Sequence, residues 1–197
     1  MPTELPRLDL DLCRERQQRL RGVLESVKAD RAILTKPEQV QYFTGFRPHH
    51  LMAAAVCIDA KACTLAAPNE EPARHAASNV ETFEAQWRCT LRQDQERAAL
   101  DTVKDTFKGI LAVDSPFAAM IEGHRCIDIE TEILALRRKK DPDEVAMIRH
   151  AIGGTKAMYA RAKEIIEPGI NELHVFNELQ AAAVTAIGEP LTGTGND

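Results

Sequence analysis

The sequence predicts an α/β fold in two parts: a mixed sheet flanked by helices, then the helical opening of a second, incomplete α+β domain. Three observations predict it. Through residue 140, helical periodicities alternate with apolar runs of strand length, the pattern of helices laid on a sheet. Two of those runs, Leu51 to Ile58 and Cys63 to Ala67, are separated only by Asp59-Ala60-Lys61-Ala62, so they pair as a hairpin and the sheet is not wholly parallel. Beyond residue 140 the strand-like runs stop and two helical patterns follow. The domains are therefore placed at 1–140 and 141–197.

Taken in order, Leu8, Leu10 and Leu12 alternate with Asp9 and Asp11, the spacing of a short edge strand in an extended lead-in. Cys13 to Lys28 is helical, with Leu20, Val23, Leu24 and Val27 on one stripe. Arg31 to Thr35 is a short strand. Pro37 opens a helix through Val40 and Phe43, and Gly45 stops it. After the hairpin, Pro68-Asn69 breaks the chain, Glu70 to Ser78 suits a short helix, and Val80 to Phe83 a strand. Gln93 to Lys108 is a helix with Leu100, Val103 and Phe107 on one face, closed by Gly109. Ile110 to Val113 is a strand, Asp114-Ser115-Pro116 starts a short helix to about Glu122, Arg125 to Asp128 is a last strand, and Ile129 to Arg137 is helical.

The junction is Leu136-Arg137-Arg138-Lys139-Lys140-Asp141-Pro142-Asp143-Glu144-Val145. Asp141 caps a helix, Pro142 suits its first position, and Glu144 stands at capping-box spacing. Val145, Ile148, Ile152 and Tyr159 then recur at helical spacing up to Pro168-Gly169. Asn171 caps a second helix, with Val175, Leu179, Ala182 and Ala186 on one side and Gly188 at its end. The segment 141–197 is shorter than the ~70–80 residues at which one core usually suffices. Its apolar stripes need a partner surface, either the first domain or a sheet outside this chain.

Composition narrows the function classes. The chain has 197 residues, is 44% hydrophobic and 28% charged, and carries a net charge of −5. Residues 1–140 hold 21 basic and 21 acidic residues, and residues 141–197 hold 4 and 9. A neutral domain joined to an acidic helical segment offers no phosphate-binding surface, so nucleic acid is not expected as a partner. The cations Arg137 to Lys140 read as a solvated linker. No apolar run is long enough to cross a membrane. Five cysteines, with no Cys-x-x-Cys and no charged-then-apolar leader, fit a reducing cytoplasm.

Several motifs resemble one family. Arg19-x-x-x-Val23-Leu24, Ala32-Ile33-Leu34, the Tyr42-Phe43-Thr44-Gly45-Phe46 turn, Ile127-Asp128, Lys140-Asp141-Pro142-x-Glu144 and Glu167-Pro168-Gly169-Ile170-x-Glu172 follow one another as in the creatinase/aminopeptidase P/prolidase family. The resemblance implies a creatinase/prolidase N-terminal domain followed by the first two helices of a pita-bread metallohydrolase domain. It implies that the parent is a Xaa-Pro aminopeptidase or dipeptidase, cleaving in front of a proline at the second position of a peptide, and a homodimer. It also implies two divalent metals, Mn²⁺, Co²⁺ or Zn²⁺, on two Asp, one His and two Glu. Paired cations of that kind share a hydroxide and polarise the scissile carbonyl. Those ligands are expected on strands beyond Asp197, so this chain is expected to hold no metal, to look truncated and to be inactive by itself. Two other parents remain open: a creatinase-like amidinohydrolase, which works without metal, and a stand-alone binding or dimerisation module.

The candidate site residues follow the Thr44-Gly45 turn. In the family this loop reaches toward a neighbouring subunit's active site, so Phe46, Arg47, His49 and His50 are candidates for the substrate carboxylate or the cleft rim. Arg47 is the best of them, because a guanidinium pairs with a carboxylate in bidentate fashion. The plainer reading is an exposed polar loop. No further ligand stands at metal spacing from His49 and His50. His75, His124, His150 and His174 read as ordinary histidines, and no His-Glu-x-x-His or Gly-x-Ser-x-Gly occurs. Gly193-Thr194-Gly195 follows a helix and reads as a loop, and Trp87 as a core or interface anchor.

Overall fold

The structure is a computed structural model, and it describes residues 5–88, 91–115, 121 and 123–191. It divides into two compact units, one of residues 8–139 and one holding residues 140–191 with residues 5–7.

The larger unit is built on central strands that are apolar on both faces. Its elements are α1 (Leu10–Val27), β1 (Arg31–Leu34), α2 (Pro37–Thr44), β2 (Ala55–Asp59), β3 (Cys63–Pro68), β4 (Asn79–Phe83), β5 (Trp87–Arg88), β6 (Leu91–Arg92), α3 (Gln95–Val103), β7 (Ile110–Val113), β8 (Arg125–Asp128) and α4 (Glu130–Leu136). Six strands form one sheet in the order β4-β3-β2-β1-β7-β8, while β5 and β6 pair separately. β2 is antiparallel to β1 and to β3, whereas β1–β7, β7–β8 and β3–β4 are parallel.

Successive strand residues point to opposite faces. Ala32, Leu34, Val56, Ile58, Leu65 and Ala112 join Leu20, Leu24, Val40, Phe43 and Ile133 in one core. Ile33, Ala55, Cys57, Ala66, Leu111 and Val113 join Ala99, Leu100 and Val103 in another. Thus α1, α2 and α4 cover one face and α3 the other. This double burial is why the strands read as continuous apolar runs rather than alternating ones. Cys13, Cys57 and Cys63 are free and buried. Burial pushes the Cys63 thiol up to about 12, so it stays protonated and inert.

Four sequence expectations are corrected. Leu10 to Leu12 belong to α1, not to an edge strand. The Asp9 carboxylate accepts the N–H groups of Asp11 (2.7 Å) and Leu12 (3.2 Å), and this cap outweighs the alternation of leucines. β2 starts at Ala55 rather than Leu51, because the Met52 N–H turns back to the His49 carbonyl and the Ala53 N–H goes to the Gln95 side chain. Residues 70–78 are not helical. Backbone donors there serve distant elements: Ala76 N–H bonds the Thr44 carbonyl and Ser78 N–H the Cys63 carbonyl, both at 2.7 Å. The helix expected to reach Lys108 ends at Val103, in a 3₁₀ turn over Lys104–Thr106. Residues 116–120 and 122 of the helix expected from Asp114 to Glu122, the Trp87 side chain, Cys89 and Gly193-Thr194-Gly195 lie outside the described residues.

The smaller unit holds α5 (Pro142–Ile165) and α6 (Glu172–Ile187). Asp141 and Glu144 close the expected capping box, with the Glu144 carboxylate accepting the Asp141 N–H at 3.0 Å. Asn171 caps α6 through the Leu173 N–H, and Gly188 ends it at φ +73°. The helices approach closely at Gly154, where a Cβ would stand 2.9 Å from Ile187 Cγ2. Arg161 bridges them to Glu178, and the same Arg161 also pairs with Glu164 on its own helix. Their outer faces are apolar: Tyr159 is 69% exposed and Leu173 68%, with Ile148, Ile152, Ile166 and Phe176 also exposed. Among the described residues no helix is long and apolar enough to cross a membrane.

Candidate functional site

The loop that carries the sequence candidates is fixed at its start by a helix cap. Gly45 ends α2 in the left-handed region at φ +74°, and its N–H bonds the Gln41 carbonyl at 2.8 Å. A Cβ there would meet Leu10 Cδ2 at 2.8 Å, so the position demands glycine both for its backbone angle and for space. The Thr44 hydroxyl donates to the Val40 carbonyl and accepts the Phe46 N–H. The aromatic-Thr-Gly-Phe signature is therefore a helix terminator that aims the following residues.

Those residues separate. Phe46 is half-buried and packs against the core on the α1 and α2 side. Arg47 is exposed, with one long 3.4 Å contact from its guanidinium to the Gln41 side chain. The buried Pro48 anchors the loop, while His49 and His50 are exposed, their rings 4.1 Å apart and tilted at 41°. His49 Nδ1 accepts the Leu51 N–H at 3.3 Å. The loop thus places one guanidinium and two imidazoles at the surface and turns the phenyl ring inward.

His50 also lines a cavity of about 300 Å³ at the carboxyl end of β1. Thr35, Met52, Ala53, Asp94 and Gln95 line it with His50. The cavity lies between the opening of α2, which follows β1, and the opening of α3, which packs on the other face of the sheet.

Beside it lies a buried polar cluster that the sequence reading did not single out. Asp114, at the end of β7, is fully buried. Its carboxylate accepts the N–H of Thr35 (3.0 and 3.2 Å) and of Lys36 (3.0 Å), and so pins the end of β1 and the entry to α2. Burial pushes the Asp114 carboxyl up to about 6, against the lowering effect of those N–H donors and of the Lys36 ammonium. The Thr35 and Ser115 hydroxyls lie 3.1 Å apart. An Asp closing a predicted strand was the only signal available; its partners stand 78 and 79 residues away in sequence.

For a metal, one group of three acidic side chains meets the distance requirement among the described residues: Asp141, Asp143 and Glu144, with ligand atoms within 4.8 Å. These three open α5. Glu144 takes the Asp141 N–H, and Asp143 takes the Glu144 N–H at 2.8 Å. Carboxylates spent on a helix terminus do not fit a shared two-metal centre, which needs free oxygens from several elements. His75 with Glu71 (3.5 Å) and His150 with Glu189 (3.3 Å) are two-residue pairs without a third ligand among the described residues.

Residues 16–139 match the family model of the Creatinase/Prolidase N-terminal domain. No curated protein matches the chain in sequence. Among solved structures, the chain is similar to the prolidase from Pyrococcus horikoshii OT3, at TM-score 0.70 and 17% identity over 87% of this chain and 48% of that one. It is similar to the Xaa-Pro dipeptidase from Bacillus anthracis, at 0.69 and 18% over 88% and 49%, and to the X-Pro aminopeptidase from Thermotoga maritima MSB8, at 0.62 and 16% over 86% and 49%. At these identities the likeness is one of fold. The chain spans about half the length of these structures.

Proposed function

Because this chain belongs to the creatinase/prolidase N-terminal domain family, we propose that it is the N-terminal part of a metallopeptidase of the Xaa-Pro aminopeptidase or dipeptidase type, hydrolysing the peptide bond before proline. One observation carries the reading. The likeness takes in most of this chain, an α/β unit followed by two helices, yet only about half of a prolidase, a Xaa-Pro dipeptidase and an X-Pro aminopeptidase. The exposed apolar faces of α5 and α6 support it, since a sheet of the parent domain would cover them.

In this reading the chain supplies no metal ligands, and no chemical step is assigned to its residues. Its contribution is positional. The parent is a homodimer, and the loop of Arg47, His49 and His50 reaches a neighbouring subunit's cleft. There the Arg47 guanidinium takes the substrate carboxylate through two parallel N–H bonds. Phe46 acts beneath the loop as its hydrophobic footing.

The test is to read the coding sequence past Asp197 and assay both lengths on a Xaa-Pro dipeptide with added Mn²⁺. The expected result is a frame that continues through two Asp, one His and two Glu, turnover by the longer protein, and none by the 197-residue chain. Turnover by the short chain, or a frame that lacks those ligands, overturns the reading; the second outcome favours the creatinase-like parent. A stop codon directly after Asp197 favours a stand-alone module whose two helices pair with another copy.

A further inference from the structure

We propose that Arg137 is a positioning residue for the loop of Arg47, His49 and His50: its guanidinium grips one face of α2 and so sets where that helix delivers the loop. The loop's role at a substrate rests on the peptidase reading; the contacts that hold it do not.

The first observation is that α2 depends on its surroundings. It has eight residues and no side-chain cap on its first turn, and a helix so short is not stable alone in water. Its ends are tied through the backbone to distant elements. Asp114 takes the Thr35 and Lys36 N–H groups ahead of the first turn. At the last turn Gln17 Nε2 donates to the Phe43 carbonyl at 2.8 Å, and the Ala76 N–H to the Thr44 carbonyl at 2.7 Å. The roll of the helix about its axis is set by what its side chains meet.

The second observation is what meets the face of Gln39 and Tyr42. These residues stand three apart, so they share that face, and they are 2% and 3% exposed. Arg137 serves both. Its Nη1 donates to Gln39 Oε1 at 3.2 Å, and its guanidinium carbon lies 5.2 Å from the centroid of the Tyr42 ring. The Arg16 guanidinium stands 4.8 Å from the same centroid. Arg16 belongs to α1 and Arg137 caps the end of α4, so cations from two other helices hold one ring of α2. A planar guanidinium can hydrogen-bond one residue and stack on the other at once, which an ammonium cannot.

The third observation is the tie from helix to loop. The Gly45 N–H bonds the Gln41 carbonyl in the last turn, and the Arg47 guanidinium reaches the Gln41 side chain at 3.4 Å. A roll of α2 therefore carries Arg47 with it. Arg137 also opens the basic run Arg137 to Lys140 that leads to α5, so the grip on α2 stands at the start of the junction.

The experiment records ¹H–¹⁵N spectra and amide exchange of the 197-residue chain. Arg137→Met should move the Gly45, Phe46, Arg47, His49 and His50 signals. It should also speed exchange at Tyr42 to Gly45 about tenfold relative to Leu111 and Ala112, the equivalent of one lost charge-assisted hydrogen bond. Should that variant fail to fold, Gln39→Met decides, since it removes the acceptor and keeps Arg137: it should move the same loop signals. Val103→Ala, in the core on the other face of the sheet, lowers stability without touching α2 and should leave them in place. Loop signals that stay fixed in the Arg137 and Gln39 variants overturn the proposal. So does Val103→Ala moving them as far, because the loop would then answer to stability alone. No peptide is turned over, so failure here leaves the peptidase reading standing, and failure of that reading leaves the positioning measurable.

Discussion

The Asp114 carboxyl makes a pH-dependent contribution whose sign and size follow from its surroundings. Burial raises its pKa from 3.8 to about 6. A group with a raised folded pKa contributes stability that is fully present below its unfolded value, and loses it as pH rises through the folded value. The contribution therefore declines between about pH 4 and pH 6 and is flat above. The shift of about two units corresponds to about 3 kcal/mol, of which about 2 kcal/mol falls between about pH 4.5 and pH 7. Asp114→Asn keeps the shape and removes the titration. It also turns an amide N–H toward the Thr35 or Lys36 N–H, so the variant carries a constant penalty of about 1–3 kcal/mol. Urea unfolding of both proteins across this range is the assay. Asp59, whose folded pKa is lowered from 3.8, is ionised throughout this range and makes its pH-dependent contribution below it; subtracting the two profiles cancels the remaining groups. The difference in stability, wild type minus variant, should shrink by about 2 kcal/mol as pH rises from 4.5 to 7. Parallel profiles would refute the reasoning. They would mean that the Thr35 and Lys36 donors outweigh burial and that the carboxyl is already ionised at pH 4.5.

Three further outcomes test other parts of the fold. Gly109 has φ +70°, and a Cβ there would lie 2.0 Å from Asp30 Oδ2, so Gly109→Ala should cost at least about 2 kcal/mol in urea unfolding, partly by breaking the Asp30 bond to the Ile110 N–H. Gly154→Leu should separate α5 from α6 against Ile187 and Ala183, lowering helical circular dichroism, whereas Gly153→Leu, with open space at its Cβ, should not. Arg47→Ala should leave stability within about 0.5 kcal/mol of wild type, because the side chain is exposed and makes one long contact; if the proposed peptidase reading holds, the same change in a longer, active protein should raise KM for a Xaa-Pro dipeptide more than it lowers kcat.

The parts of this fold legible in the sequence are those written in short-range chemistry. Gly45, Asp141, Asn171 and Gly188 end or begin helices within four residues of the atoms they satisfy, and all four were placed correctly. The central strands were legible for a different reason: burial on both faces leaves no polar alternation to confuse them. The failures are competitions between a local pattern and another partner. The leucine alternation at residues 8–12 lost to the Asp9 cap. The helix-like composition of residues 70–78 lost to backbone acceptors on Thr44 and Cys63.

The same distinction separates the two candidate sites. The loop of Arg47, His49 and His50 is contiguous, so a motif can announce it. The cavity draws Thr35 from the end of β1, Met52 and Ala53 from the approach to β2, and Gln95 from the start of α3. Nothing in the local spacing of those residues signals that they meet. What brings them together is the sheet: β1 at its centre, β2 antiparallel beside it, and α3 packed on the face that Ile33, Ala55 and Cys57 share. Gln95 then becomes informative only in three dimensions, because half of its amide is spent holding Ala53 and the other half faces no protein acceptor. Gln17 is placed in the same long-range way, its Nε2 donating to the carbonyls of both Phe43 and Ala76.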